Sequence, residues 1–153
     1  MALVQSFPTI NHWTYPENSR PVLRGTDSRE RLEAQRGKDS TLIGGGGSDQ
    51  LVGAPGANTF KYEKASDSLN NDSDIIFNFN PKQDRIDLSE MVKDSDIKIV
   101  HVRIGPPQQV GDAHISHSPF GFSTLTMKLT EKGPLFAIRV DDVKLLPAHV
   151  KFW

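Results

Sequence analysis

The sequence predicts an all-β protein: a short parallel β-roll of degenerate nine-residue repeats, followed by an antiparallel β cap or sandwich. Three observations predict it. Ile43 to Phe60 reads IGGGGSDQLVGAPGANTF, which is two consecutive nine-residue units. Large apolar residues recur through the first half at Leu32, Leu42, Leu51 and Phe60, with spacings of ten, nine and nine. In the second half, apolar and polar residues alternate over short stretches and no long amphipathic helical pattern occurs.

The clearest unit is Gly44 to Val52, GGGGSDQLV, which fits G-G-x-G-x-D-x-U-x with U a large apolar residue. Gly53 to Lys61, GAPGANTFK, fits it more loosely. Glycines allow the chain to turn tightly at positive φ, which aims carbonyl oxygens inward. Asp49 adds a carboxylate. Such a loop suits a hard cation that takes many oxygen ligands. The three residues after each loop form a short strand with one apolar side chain facing in. Repetition winds the chain into a roll.

Taken in order, residues 1–22 carry Pro8, Pro16 and Pro21 among Phe7, Trp13 and Tyr15. Prolines at that density disfavour a helix or a central strand. The segment is either a flexible lead-in or an aromatic cover for the open first edge of the roll. Residues 23–61 are the repeat region. Gly25 to Leu32 aligns as a first eroded unit and Arg36 to Leu42 as a second, with one inserted residue. A rival reading makes 28–36 a short helix, with Asp27 and Glu30 as a capping-box start and Gly37 as the C-terminal glycine.

Residues 62–153 read as antiparallel β, continuous with the roll. Asp74 to Phe79 and Arg85 to Leu88 are strands around an Asn80-Pro81-Lys82-Gln83 turn. Ile97 to Ile104 is a strand whose alternation changes phase, which suggests a bulge. Ala113 to Ser116 is a short strand. Leu125, Met127 and Leu129 form an inward row, continued by Phe136, Ile138 and Val140. Val150 and Phe152 end the chain as a final strand.

Composition excludes several classes. A hydrophobic fraction of 36% and a formal net charge of -1 give no global basis for nucleic-acid binding. No apolar run is long enough to cross a membrane. The first residues lack the charged and apolar regions of a secretory signal peptide. Cysteine is absent, which removes disulfides, Cys-ligated zinc and thiol catalysis. Eight of the 12 glycines lie between Gly25 and Gly56, so the loop-rich region is confined to the first half.

The Gly44 unit resembles the calcium-binding nonapeptide of RTX proteins. GAPGANTFKYEKASDS is similar to the junction between the last RTX repeat and its cap. SDIIFNFNPKQDRIDLSEM resembles the segment that follows in serralysin-type metalloproteases and in the R-modules of secreted alginate C-5 epimerases. The likeness is closest over 44–90, extends over 25–43, and over 91–153 rests on strand pattern and an apolar C-terminus. It implies a noncatalytic module, secreted by bacteria and extracellular, which folds on calcium and assists export through a type I secretion apparatus. In the epimerases such modules also contact the anionic polysaccharide. The end LLPAHVKFW resembles an export signal, with Lys151 departing from the usual pattern.

The resemblance implies a metal set of Gly44, Gly45, Gly47, Asp49, Gly53 and Gly56, with Glu30, Asp39, Asp49 and Asn58 at the carboxylate position of the four units. Loops on the same side share an ion, so Glu30 pairs with Asp49 and Asp39 with Asn58. Each pair has one standard half and one damaged half, which predicts at most two sites and weak binding. Asn78 stands where the family's cap motif has Asp. The eroded units have gained Arg24, Arg29, Arg31, Arg36 and Lys38. These cations either neutralise Asp27, Glu30 or Asp39 in place of calcium, or Arg29, Arg31, Arg36 and Lys38 form a basic face for a polyanion such as alginate.

Catalytic patterns are missing. There is no HExxH and no G-x-S-x-G. His114 and His117, three apart on a strand, face opposite sides. His12, His101 and His149 are isolated. Asp84 and Asp87 belong to the cap motif of the resemblance and read as turn and strand-end hydrogen-bonding groups, with an accessory calcium ligand as the alternative. Gly44 to Gly47 is no phosphate loop, because no Lys-Ser/Thr follows. Three functions stay open: a calcium-responsive secreted module, a calcium-independent recognition module for an anionic polysaccharide or protein, and the C-terminal part of a larger secreted enzyme.

Overall fold

The computed structural model describes residues 7–16 and 20–153. Residues 1–6 and 17–19, which belong to the segment read above as a lead-in or edge cover, lie outside the described residues. Among the described residues thirteen short strands form two facing mixed sheets. The roll is built from β2 (Val22–Arg24), β3 (Arg31–Glu33), β4 (Thr41–Ile43), β5 (Gln50–Val52), β6 (Thr59–Lys61), β7 (Asp74–Phe77) and β8 (Arg85–Asp87). Successive strands alternate between the sheets. Each strand therefore pairs in parallel with the next but one: β2, β4, β6 and β8 in one sheet, β3, β5 and β7 in the other.

Each strand of the roll points one large apolar residue inward, the middle one in the three-residue strands and the third in β7. Leu23, Leu32, Leu42, Leu51, Phe60, Ile76 and Ile86 are all fully buried in one core. Burial of each such side chain stabilises the fold by roughly 1.5–3 kcal/mol. The four apolar positions expected from the repeat are among them. Leu23 extends the row one strand earlier, nine residues before Leu32.

Several expectations are corrected. Residues 28–36 form no helix. Arg31–Glu33 is strand β3, because Leu32 is buried and pairs with Leu51 of β5. Tertiary pairing overrides local helix propensity there. The stretches at 74 and 85 are not an antiparallel pair. They are parallel coils of the roll in opposite sheets, so the roll runs on past residue 61. The 97–104 strand shrinks to β9 (His101–Arg103), which lies parallel to β10 (Asp112–His117). A six-residue helix, α1 (Ser89–Asp94), was not expected; it buries Met91 and Val92 on the core.

The antiparallel part is β10, β11 (Phe122–Met127) and β12 (Phe136–Asp141). Their inward residues, including Leu125, Met127, Phe136, Ile138 and Val140, match the expected alternation. β12 joins the roll through parallel pairing with β7, giving the sheet order β3-β5-β7-β12-β11-β10-β9. β13 (Val150–Lys151) closes the other sheet, parallel to β8. No helix among the described residues is long and apolar enough to cross a membrane.

The N-terminal segment spans the first coil. Arg31 N donates to Pro8 O at 2.9 Å and Ile10 N to Arg31 O at 3.0 Å, which satisfies the edge of β3. β1 (Trp13–Thr14) pairs antiparallel with β2 on the other sheet. Ile10 and Trp13 pack on the core. Both first edges of the roll are thereby covered.

Candidate functional site

Every loop of the roll ends on a polar residue two positions before the inward apolar one. That offset places Glu30, Ser40, Asp49, Asn58, Asp74 and Asp84 in equivalent positions, and all six are buried. Two columns result. Glu30, Asp49 and Asp74 line one side of the roll. Ser40, Asn58 and Asp84 line the other.

The columns are stitched by backbone donors. Glu30 N donates to Asp49 Oδ1 at 2.9 Å, and Asp49 N to Asp74 Oδ1 at 2.8 Å. On the opposite side, Asn58 N donates to Asp84 Oδ1 at 2.8 Å, and Asn80 N to Asp84 Oδ2 at 2.8 Å. The bonds give each buried carboxyl oxygen and the N–H facing it a partner. They let buried carboxyl groups serve as loop staples.

Asp39 does not occupy the place expected for it. Ser40 stands in the column, and its hydroxyl accepts from Gln35 N at 3.3 Å. Asp39 is exposed and accepts from Ala57 N at 2.9 Å. The inserted residue of the second unit is absorbed in the preceding loop around Gly37, at φ 76°. Loop 25–30 stacks on 44–49, and 34–40 on 53–58.

The first stack needs its glycines. Gly45 sits at φ 77°, and a Cβ there would lie 2.5 Å from the Thr26 carbonyl oxygen. A Cβ at Gly44 would lie 2.6 Å from Asp49 Oδ2. The loops thus approach to backbone contact, with Asp49 filling the space left by Gly44. Asp49 Oδ2 is buried and meets no hydrogen-bond partner among the described residues. Its carboxyl is pushed up to about 9, first by burial and then by the charge of Asp74. Asp74 is itself pushed up to about 8, chiefly by burial. Asp67, whose Oδ2 accepts the Glu63 and Lys64 N–H groups, is raised by burial as well.

These features test the fit of a cation. An orphaned buried carboxylate oxygen beside a belt of backbone carbonyls is a donor set for a hard ion. The other half is closed by protein. Glu30 Oε1 accepts Thr26 N at 2.6 Å and Oε2 accepts Thr26 Oγ1 at 2.7 Å. Among the described residues no three His, Asp or Glu side chains converge as a metal cluster. The oxygens available to an ion are therefore mostly main-chain.

The basic residues flank β3. Arg29 and Arg31 lie at the entry to β3, while Arg36 and Lys38 lie in the loop after it. Arg31 is held by Glu33 at 2.7 Å and Gln50 at 2.9 Å. Arg29 reaches Asp72 at 3.4 Å and lies over the Phe7 ring at 5.4 Å. Arg24 binds Glu63 at 2.6 Å, which holds that carboxyl below its ordinary range. Arg36 and Lys38 are exposed. Glu30 is satisfied by Thr26 rather than by a guanidinium, which corrects one expected exchange of calcium for arginine.

The histidines serve the cap. His114 Nδ1 lies 3.1 Å from Arg103 O, and His117 Nε2 lies 2.9 Å from Leu145 O. Asp87 Oδ1 accepts Ser89 N and Oγ at the start of α1. Asn78 holds φ 58°, a left-handed conformation that Asn tolerates, where it turns the chain out of β7. The repeat pattern alone does not mark Asp74 and Asp84 as column members. The signal existed: each stands two residues before an inward isoleucine, as Asp49 stands before Leu51.

Comparison with known proteins agrees with this architecture. No curated protein sequence matches. The solution structure of the AlgE6R3 subunit of the Azotobacter vinelandii mannuronan C5-epimerase is similar, at 24% identity and TM-score 0.53, over 86% of this chain and 77% of that one. The AlgE6R2 subunit of the same organism's epimerase is similar at 23% identity and TM-score 0.52, over 84% of this chain and 91% of that one. At that identity the likeness shows the fold, a β-roll. The family model described as Peptidase M10 serralysin C terminal matches residues 38–139. That span runs from β4 into β12 and holds the Asp49 loop and most of the cap, and it is two thirds of the sequence; the chain belongs to the serralysin C-terminal family.

Proposed function

We propose that the chain is a noncatalytic β-roll module that binds calcium at loops 25–30 and 44–49 and gains stability from it. The single observation that carries this reading is Asp49 Oδ2, buried without a partner against the glycine arc. Asp49 and the main-chain carbonyls around Thr26, Asp27 and Gly44–Gly47 would hold the ion. When bound, calcium supplies the positive charge that lets Asp49 remain ionised while buried. Glu30 is engaged by Thr26, so the site draws on one acidic side chain and its affinity is low.

The setting we assign is extracellular and bacterial, with the module assisting folding after type I export. Its family is named for the C-terminal part of a peptidase, and its solved neighbours are subunits of an epimerase acting on mannuronan. Contact with an anionic polysaccharide is the accessory role these neighbours support. The test is a thermal melt in EDTA and in millimolar calcium. Calcium should raise Tm, because a ligand that binds only the folded state stabilises it. A melt indifferent to calcium would favour the calcium-independent recognition module, for which the closed Glu30–Thr26 loop speaks.

A further inference from the structure

The two loop stacks are built alike and finished differently. Asp49 and Asn58 occupy equivalent positions. Each donates its N–H to the next carboxylate in its column, Asp74 or Asp84, at 2.8 Å. Each has a buried side-chain oxygen with no partner among the described residues. The difference is the second side-chain atom. In Asp49 it is another oxygen. In Asn58 it is Nδ2, which donates to Ala54 O at 2.6 Å and reaches Gly56 O at 3.5 Å.

Ala54 O and Gly56 O are carbonyls of the glycine-bearing loop, turned toward the column residue. They are oxygens of the kind a cation would gather, and the amide already engages them. The tips of this stack are also sewn together. Gly37 N donates to Pro55 O at 2.7 Å and Ala57 N to Asp39 Oδ1 at 2.9 Å. Among the described residues no hydrogen bond joins 26–28 to 45–47 in the other stack. The oxygen left at Asn58 is a single neutral one, against the six to eight oxygen ligands that calcium takes.

We infer that the Asn58 side-chain amide takes the place of a cation in loop 53–58, so that this stack is closed without metal. The chain then carries one calcium-responsive stack rather than two. This rests on the reading of loops 25–30 and 44–49 as the calcium site, but it can fail separately.

The experiment counts calcium per chain by native mass spectrometry and titration calorimetry, with melts in EDTA and in calcium. It uses the full chain, Asn58→Asp, Asn58→Ser and Asp49→Asn. The unaltered chain should hold one ion, Asp49→Asn none, and Asn58→Asp two. Asn58→Asp should melt lower in EDTA and recover in calcium, because it sets a buried carboxylate against two carbonyls. Asn58→Ser is too short to reach both carbonyls. It should lower Tm in EDTA by about 5 °C and leave the ion count at one. An unaltered chain that holds no ion, with an Asn58→Asp variant that holds one, would uphold the role of Asn58 and overturn the calcium reading of Asp49. The inference is overturned by an Asn58→Asp variant that binds no additional ion. It is equally overturned if Asn58→Ser removes an ion, or if Asn58→Ser melts like the unaltered chain in EDTA.

Discussion

Asp49 donates its backbone N–H to the Asp74 carboxylate at 2.8 Å, and Asp74 also accepts the Tyr62 hydroxyl at 3.0 Å. This chain of contacts ties the glycine-rich loop to the cap, since Asp74 opens β7 and Asp74 N donates to Ser68 Oγ. Ser68 Oγ in turn donates to Ala137 O on β12. Two carboxyl groups and a phenol are buried together there, and burial with the Asp74 charge pushes Tyr62 well above its ordinary value.

The first prediction concerns pH. Both carboxyls are raised in the folded chain, to about 9 for Asp49 and about 8 for Asp74, from an ordinary 3.8. The folded state therefore binds protons more tightly than the unfolded state. Their contribution to stability is full below about pH 4 and is lost as pH rises through about 8 to 9. In EDTA, Tm should fall from about pH 5 to about pH 9, and millimolar calcium should flatten the fall. Scanning calorimetry across that range checks it; a metal-free Tm that climbs with pH contradicts it.

Asp49→Asn removes the buried acid but keeps an oxygen to accept Glu30 N. In EDTA near pH 8 its Tm should match or exceed that of the unaltered chain by about 3 °C, since a carboxyl raised to about 9 must take up a proton to stay buried at that pH and an amide need not. Calcium should no longer shift the melt. Paired melts with and without the ion measure both effects.

Leu51 is fully buried between the sheets, in register with Leu32 and Ile76. Leu51→Ala should cost about 2–5 kcal/mol through lost burial and a residual cavity. Gln50→Ala, at the neighbouring half-buried position, should cost less than about 1 kcal/mol. Urea denaturation of the two variants gives the contrast. Equal losses would mean that the inward row is not the core.

Trp13 pairs with Leu23 and packs on the core at the roll's first edge. Trp13→Ala should cost about 2 kcal/mol and loosen β1 from β2. An uncovered edge strand also invites pairing between chains. Sedimentation velocity should therefore show concentration-dependent association in the variant and not in the unaltered chain.

The sequence by itself determined the roll. Glycines at one end of a nine-residue unit and a large apolar residue at the other admit few alternatives to a turn followed by a short strand. Leu32, Leu42, Leu51 and Phe60 could be placed inside without coordinates, and the inward row of β11 and β12 followed from its period of two. The candidate site was partly legible, because Asp49 sits in an intact unit.

The tertiary structure decided what spacing leaves ambiguous. Arg29 to Arg36 has the composition of a helix, and only the pairing of Leu32 with Leu51 makes it a strand. Asp39 and Ser40 are adjacent, and only the path of the inserted residue around Gly37 shows that Ser40 enters the column. Asp74 and Asp84 are far from the repeat in sequence, yet two more parallel coils bring them beneath Asp49 and Asn58. Whether a loop closes on an ion or on its own amide is decided by a few ångströms between one side chain and its neighbouring carbonyls, a distance that long-range packing sets and local sequence does not.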